Sequence, residues 1–162
     1  MLETTLHVGA PCWLPTDEAG GEGAGGLCSL GIKEGIHNGN HKYLPFAKNG
    51  INWVASQGQD VISYNFSGCI MAAFTYQGVA RVCHVSTGAG QDCKARWDEI
   101  KGQSANVFEF RPSDFIETNG GALAGCYGLV TSDLRTYVIT TVRPKLGTGP
   151  KVASIVTARL LR

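Results

Sequence analysis

The sequence predicts an α+β, mostly β domain: a β-sandwich or open barrel of mixed strands flanked by one or two helices. Three observations carry this. From Ile51 onward the chain is a series of short β-rich runs broken by Gly-containing turns. Only one stretch has helical periodicity. The 22 glycines are many and clustered, which suits tight or long turns better than stacked helices.

The elements follow in order. Residues 3–8 read as a first strand. The run Ala19–Gly26 is a flexible loop; it lacks the Gly-Lys-Ser/Thr that a phosphate-binding loop places next. Residues 33–50, with His37, His41 and Pro45 among Asn and Gly, read as irregular. Ile51–Ala55, Val61–Asn65, Cys69–Tyr76 and Val79–Val85 read as strands. Residues 91–101 place Cys93, Trp97 and Ile100 at i, i+4 and i+7 with charges between, an amphipathic helix stopped by Gly102. Asn106–Arg111, Leu123–Thr131, Thr136–Arg143 and Val152–Leu160 complete the strands, with Pro112, Ser132-Asp133 and residues 147–150 as breaks. No repeat or boundary interrupts the 162 residues, so one catalytic domain is expected over 1–162.

Composition narrows the function classes. Hydrophobic residues make up 43% and charged residues 17%, and the net charge is +1. That balance lacks the basic excess of a nucleic-acid binder, so no nucleic-acid partner is expected. No apolar run approaches the roughly 20 residues that span a bilayer, and no membrane partner is expected. The start of the chain lacks a basic-then-apolar leader; a cytoplasmic protein, or one exported into a target cell by a signal-independent route, is expected. The six cysteines form no C-x-x-C and mostly sit in apolar runs, so they read as reduced thiols. His37 and His41 have the spacing of a metal pair on a helix. Gly39 between them and the lack of a further nearby ligand make a solvated loop the better reading. No metal or cofactor is expected.

Chemistry concentrates in the 69–85 hairpin. With Gln77-Gly78 as a two-residue turn, Tyr76 faces Val79, Met71 faces His84 and Cys69 faces Ser86. Cys69 and His84 are then diagonal neighbours on one face, about 7–8 Å apart at Cα, while Cys83 alternates to the other. An odd-length turn would separate the pair. A His beside a thiol takes its proton, first holding a thiolate as an ion pair and later protonating the leaving group. Ser67 and Gly68 let the backbone turn sharply before Cys69, so that N–H groups there, that of Cys69 included, can face an oxyanion. The bland alternative is a core cysteine opening an apolar strand, since six cysteines and four histidines allow many chance pairs. Cys126, in Leu123–Gly128, also follows a small-residue turn but has no His downstream. It is the second candidate nucleophile. Trp53 and Trp97 read as packing residues.

Phe66-Ser67-Gly68-Cys69, followed by His84 and Val85-Ser86-Thr87-Gly88, resembles the catalytic core of the cytotoxic necrotizing factor family and of the related chemoreceptor glutamine deamidases. The likeness covers about twenty residues, with Phe66 where the toxins usually carry Leu. It implies a toxin-like deamidase sandwich in which a Cys thioester converts a protein glutamine to glutamate and releases ammonia. The implied partner is a protein presenting an exposed glutamine, and the implied role is that of a bacterial effector or toxin. In that family a third group orients the His. Ser63 matches the Thr placement of the chemoreceptor branch; Asn65 and Thr87 compete with it, and Ser63 also reads as an exposed strand residue. The residues after the Cys, Ile70–Ala73, differ from the usual chemoreceptor-branch sequence. A cysteine peptidase or transglutaminase, or a non-enzymatic β module that binds a partner, are the alternatives.

Overall fold

The computed structural model describes residues 30–31, 36–38, 41–44, 50–64, 66–87, 93–143 and 154–160. Two sheets organise them. One has the order β1-β4-β7-β6-β8, built from Leu30–Gly31 (β1), Ile51–Ala55 (β4), Val79–Val85 (β7), Ile70–Tyr76 (β6) and Ala105–Phe110 (β8). The other has the order β11-β10-β9-β5-β3-β2, from Ser154–Leu160 (β11), Thr136–Val142 (β10), Leu123–Val130 (β9), Asp60–Tyr64 (β5), His41–Leu44 (β3) and Ile36–Asn38 (β2). Pairing is antiparallel except for β1 with β4 and β3 with β5, which are parallel. The molecule is therefore mostly β with two mixed sheets, not a closed barrel.

Strand alternation sorts the apolar side chains into layers. Between the sheets lie Leu44, Val61, Cys126, Val130 and Val138 from one side and Val54, Cys69, Met71, Ala73 and Val82 from the other. Gly128 makes this approach possible: a Cβ there would stand 2.3 Å from the Met71 sulfur and 3.3 Å from Phe66. The outer face of the five-stranded sheet carries Ile70, Ala72, Phe74, Cys83 and Val85 against helix α1, Lys94–Gly102. Trp97 and Ile100 are the helix residues that enter this layer; the Trp97 ring meets Phe74 edge-on with centroids 5.1 Å apart. Burying such side chains stabilises the contact by about 1.5–3 kcal/mol each. Trp97 Nε1–H also donates to Glu109 at 2.7 Å, which ties the helix to β8.

The β6–β7 hairpin has the expected two-residue turn. Gln77 and Gly78 both have positive φ, 50° and 75°, as a type I′ turn requires, and Tyr76 pairs with Val79 and Met71 with His84.

Several expectations need correction. Residues 33–50 are not wholly irregular, since β2 and β3 lie there. The two strands pair antiparallel, so His37 and His41 sit on adjacent strands and not in the expected solvated loop, and His41 is buried. Lys42 is buried because its Nζ donates to the Ala55 carbonyl and to Gln57 Oε1, both at 2.6 Å. Cys93 is disulfide-bonded and is not a reduced thiol. The expected strand at 3–8 and the loop at 19–26 also fall outside the described residues. Among the described residues no helix is long and apolar enough to cross a membrane.

Candidate active site

Burial in β5 alternates between two apolar layers: Val61 belongs to the inter-sheet core and Ile62 to the outer face of the six-stranded sheet. Ser63 therefore shares the inward direction of Val61. On the opposing sheet, Val82 points inward and Cys83 outward, so His84 points inward. The two polar residues meet across the sandwich. Ser63 Oγ lies 2.8 Å from His84 Nδ1 and donates its own proton to the Leu44 carbonyl at 2.7 Å.

That pair of bonds fixes the imidazole tautomer. A hydroxyl has one proton to give. With it committed to Leu44, Ser63 Oγ accepts from Nδ1–H, and the lone pair of the neutral ring resides on Nε2. Phe66 lies flat on the ring, with centroids 4.2 Å apart and planes 11° from parallel. Ser63 and His84 are both fully buried. Ser63 is not the exposed strand residue that its polarity suggested.

Burial also sets the charge. Desolvation lowers the His84 pKa from 6.5 to about 3, because an imidazolium in this apolar layer loses its hydration. Burial thus favours the neutral form of the imidazole.

Cys69 precedes β6 on the inward face and belongs to the inter-sheet core, two residues before Met71, the register partner of His84. Direct and diagonal pairs on one face are neighbours. It keeps 7% of its surface exposed. The thiol is thus more enclosed than one lining an open cleft. Ser67 is exposed and Gly68 half-buried. Gly68 has φ 146°, a conformation that a side chain would strain. Its carbonyl accepts from Thr87 Oγ1 at 2.8 Å and from Arg111 Nη1. Thr87 therefore serves the turn before Cys69, while Ser63 is the side chain on His84 Nδ1. Asn65 lies outside the described residues.

The other thiols are poorly suited to attack. Cys83 lies in the outer layer at 0% exposure, and burial raises its pKa strongly. Cys126 is 2% exposed, with a pKa pushed up to about 12 by desolvation. Among the described residues no group of three or more His, Cys, Asp or Glu is placed to hold a metal.

Sequence reasoning missed three contributors. These are the Leu44 carbonyl that commits the Ser63 proton, the Phe66 ring on His84, and Arg111 at the Gly68 carbonyl. Phe66 was legible in part, as the apolar residue before Ser-Gly-Cys. The other two arise from contacts 19 and 43 residues apart in sequence and leave no local signal. No protein-family model, curated protein or solved structure matches the chain.

Proposed function

We propose that the protein is a cysteine-dependent protein glutamine deamidase, with Cys69 as nucleophile, His84 as general base and acid, and Ser63 as the group that orients His84. The observation that carries the reading is the Ser63–His84 bond across the two sheets. It commits Nδ1 as a donor and leaves Nε2 as the basic atom, on the face that Cys69 shares. The likeness of residues 66–88 to the deamidase core supplies the reaction class, by analogy.

The chemistry is written as follows. Cys69 Sγ attacks the glutamine carboxamide carbon as its proton passes to Nε2; an S–C bond forms and the carbonyl electron pair moves to oxygen. The tetrahedral adduct collapses, the C–N bond breaks, and ammonia departs with the proton from the imidazolium. Water then attacks the thioester while Nε2 takes its proton. The C–S bond breaks and the proton returns to sulfur. Glutamine and water become glutamate and ammonia, with no change of oxidation state. A depressed His84 pKa makes the imidazolium a strong acid towards the leaving nitrogen and the neutral ring a weak base towards the thiol, so proton transfer from sulfur and attack on the carboxamide must be concerted. The narrow exposure of Cys69 favours a slender side-chain amide over a peptide backbone, and so a deamidase over a peptidase. The protein substrate and a role as a bacterial effector or toxin come from the same likeness.

The same burial also favours a second reading, a non-enzymatic β module in which Cys69 and His84 are core residues. Acylation by p-nitrophenyl acetate separates the two. The deamidase reading predicts an acetyl group on the Cys69 peptide, with release of nitrophenolate that vanishes in Cys69→Ala and slows in His84→Ala. A protein that unfolds normally yet shows no acylation at Cys69 would be a binding module.

A further inference from the structure

We propose that Arg81, set against Trp53 and Tyr76, is the anchor of a binding site for a carboxylate group on the outer face of the five-stranded sheet. The site does not rest on the reading of Cys69 as a nucleophile. Arg81 lies on β7 and shares the outward direction of Cys83 and Val85, away from the inter-sheet layer. Phe74 of β6 is its register partner on one side and Ala55 of β4 on the other. Trp53 and Tyr76 are its diagonal neighbours on the same face. The guanidinium carbon stands 3.8 Å from the Trp53 ring centroid and 5.1 Å from that of Tyr76.

An arginine buried this far is ordinarily paired with an acid. Arg81 keeps only 8% of its surface exposed. Among the described residues no hydrogen bond or ion pair reaches its guanidinium, and Nε is sealed from water without a partner. The carboxylates of helix α1 and β8, the elements that cover and flank this face, already hold cations. Glu109 accepts from Trp97 and Lys101, Asp98 is bridged to Lys94 and Lys101, and Glu99 to Arg96. The two rings stabilise the positive charge through their π faces. They supply no oxygen for the N–H donors, which radiate in the guanidinium plane. The missing group is therefore an anionic acceptor. With Nε closed off, the edge left to a ligand is that of Nη1 and Nη2, whose parallel donors match the two oxygens of a carboxylate. The way in lies at the hairpin end, where Val79 on the same face is 41% exposed and Trp53 and Tyr76 are half-buried. A phosphate fits less well, because Ala55, Phe74 and Cys83 beside Arg81 offer no second cation for a second negative charge. The aromatic walls suit an apolar stem behind the carboxylate.

The probe is butyrate, which copies the stem and charge of a glutamate side chain, against neutral butyramide at constant ionic strength. Butyrate is expected to shift the Arg81 guanidinium ¹⁵N resonances saturably, with a Kd of about 1–10 mM, the range for so small a ligand. It also raises the wild-type Tm, and butyramide does neither. Arg81→Met removes the buried charge at similar volume, folds to at least wild-type stability in carboxylate-free buffer, and weakens butyrate binding at least about 10-fold. Should that variant fold poorly, the wild-type titration decides alone. A blocked alanine pentapeptide with a central Glu, compared with its Gln counterpart, identifies the source. Binding of the Glu peptide about 10-fold tighter than butyrate assigns the site to an acidic side chain of a partner protein; equal or weaker binding assigns it to a free carboxylic acid. Inorganic phosphate binding more tightly than butyrate overturns the carboxylate assignment. The site itself is overturned by the absence of a saturable shift at Arg81, by equal responses to butyrate and butyramide, or by butyrate binding that survives Arg81→Met.

Discussion

Replacing Ser63 with Ala removes a hydroxyl that joins the two sheets at the site. Ser63 Oγ accepts from His84 Nδ1–H and donates to the Leu44 carbonyl, and Ser63 and His84 are fully buried. The substitution strands the ring N–H in an apolar layer and takes one donor from the carbonyl. A buried polar group left unsatisfied costs about 1–3 kcal/mol, so the expected loss of folding stability is about 2–4 kcal/mol. The ring can lessen this by moving its proton to Nε2, but that removes the lone pair that the proposed mechanism uses as its base. Chemical denaturation reads the stability, and ¹⁵N-resolved imidazole spectra read the tautomer. In a His84→Leu background the cost of Ser63→Ala falls by at least about 1 kcal/mol, because the bond is already gone. A Ser63→Ala protein within about 0.5 kcal/mol of the wild type, with its proton still on Nδ1, would refute the role given to Ser63; so would full additivity in the double mutant.

Three further outcomes follow from the same packing. Because the His84 pKa falls from 6.5 to about 3 in the fold, the unfolded chain gains a proton in that window that the folded chain refuses. The stability from the neutral ring is complete above pH 6.5 and is lost as pH falls towards 3. The slope is about 1.4 kcal/mol per pH unit, and denaturation curves of His84→Gln should be flatter by that amount. Gly128→Ala would force its Cβ against the Met71 sulfur and Phe66, destabilising the fold by about 1–3 kcal/mol in thermal or urea unfolding, with part of the cost relieved in a Met71→Ala background. Under native conditions iodoacetamide should modify Cys69 well before Cys83 or Cys126, which are more deeply buried; quantitative peptide mapping gives the order, and earlier labelling of Cys126 would contradict it.

The parts of the fold that were legible in the sequence are those governed by neighbours in the chain. Gln77-Gly78 determines the hairpin turn, and the turn determines which residues face one another, so the shared face of Cys69 and His84 could be counted from the sequence. The helix was legible because Trp97 and Ile100 recur at helical spacing over one apolar layer. The parallel pairing of β3 with β5 was not, because it joins segments whose intervening sequence has no clear period. Ser63 looked exposed because it is polar. Its place in a strand buried on both faces comes from the sheet packed over it, and its hydroxyl is satisfied only by residues 19 and 21 positions away. The tautomer, the depressed His84 pKa and the hold of Arg111 on Gly68 arise from those distant contacts. The extent to which burial favours a neutral His84 was hidden for the same reason: residue types alone do not reveal how much water surrounds them.

The most direct test of glutamine deamidation is to incubate the protein with an extract of candidate target-cell proteins in ¹⁸O-labelled water and map the products by mass spectrometry. The account predicts glutamate carrying one ¹⁸O at particular former glutamine sites, with equimolar ammonia and intact backbones, absent with Cys69→Ala and strongly reduced with His84→Ala. New peptide termini without labelled glutamate would contradict deamidation in favour of proteolysis, and labelled glutamate formed equally well by Cys69→Ala would contradict the role of Cys69.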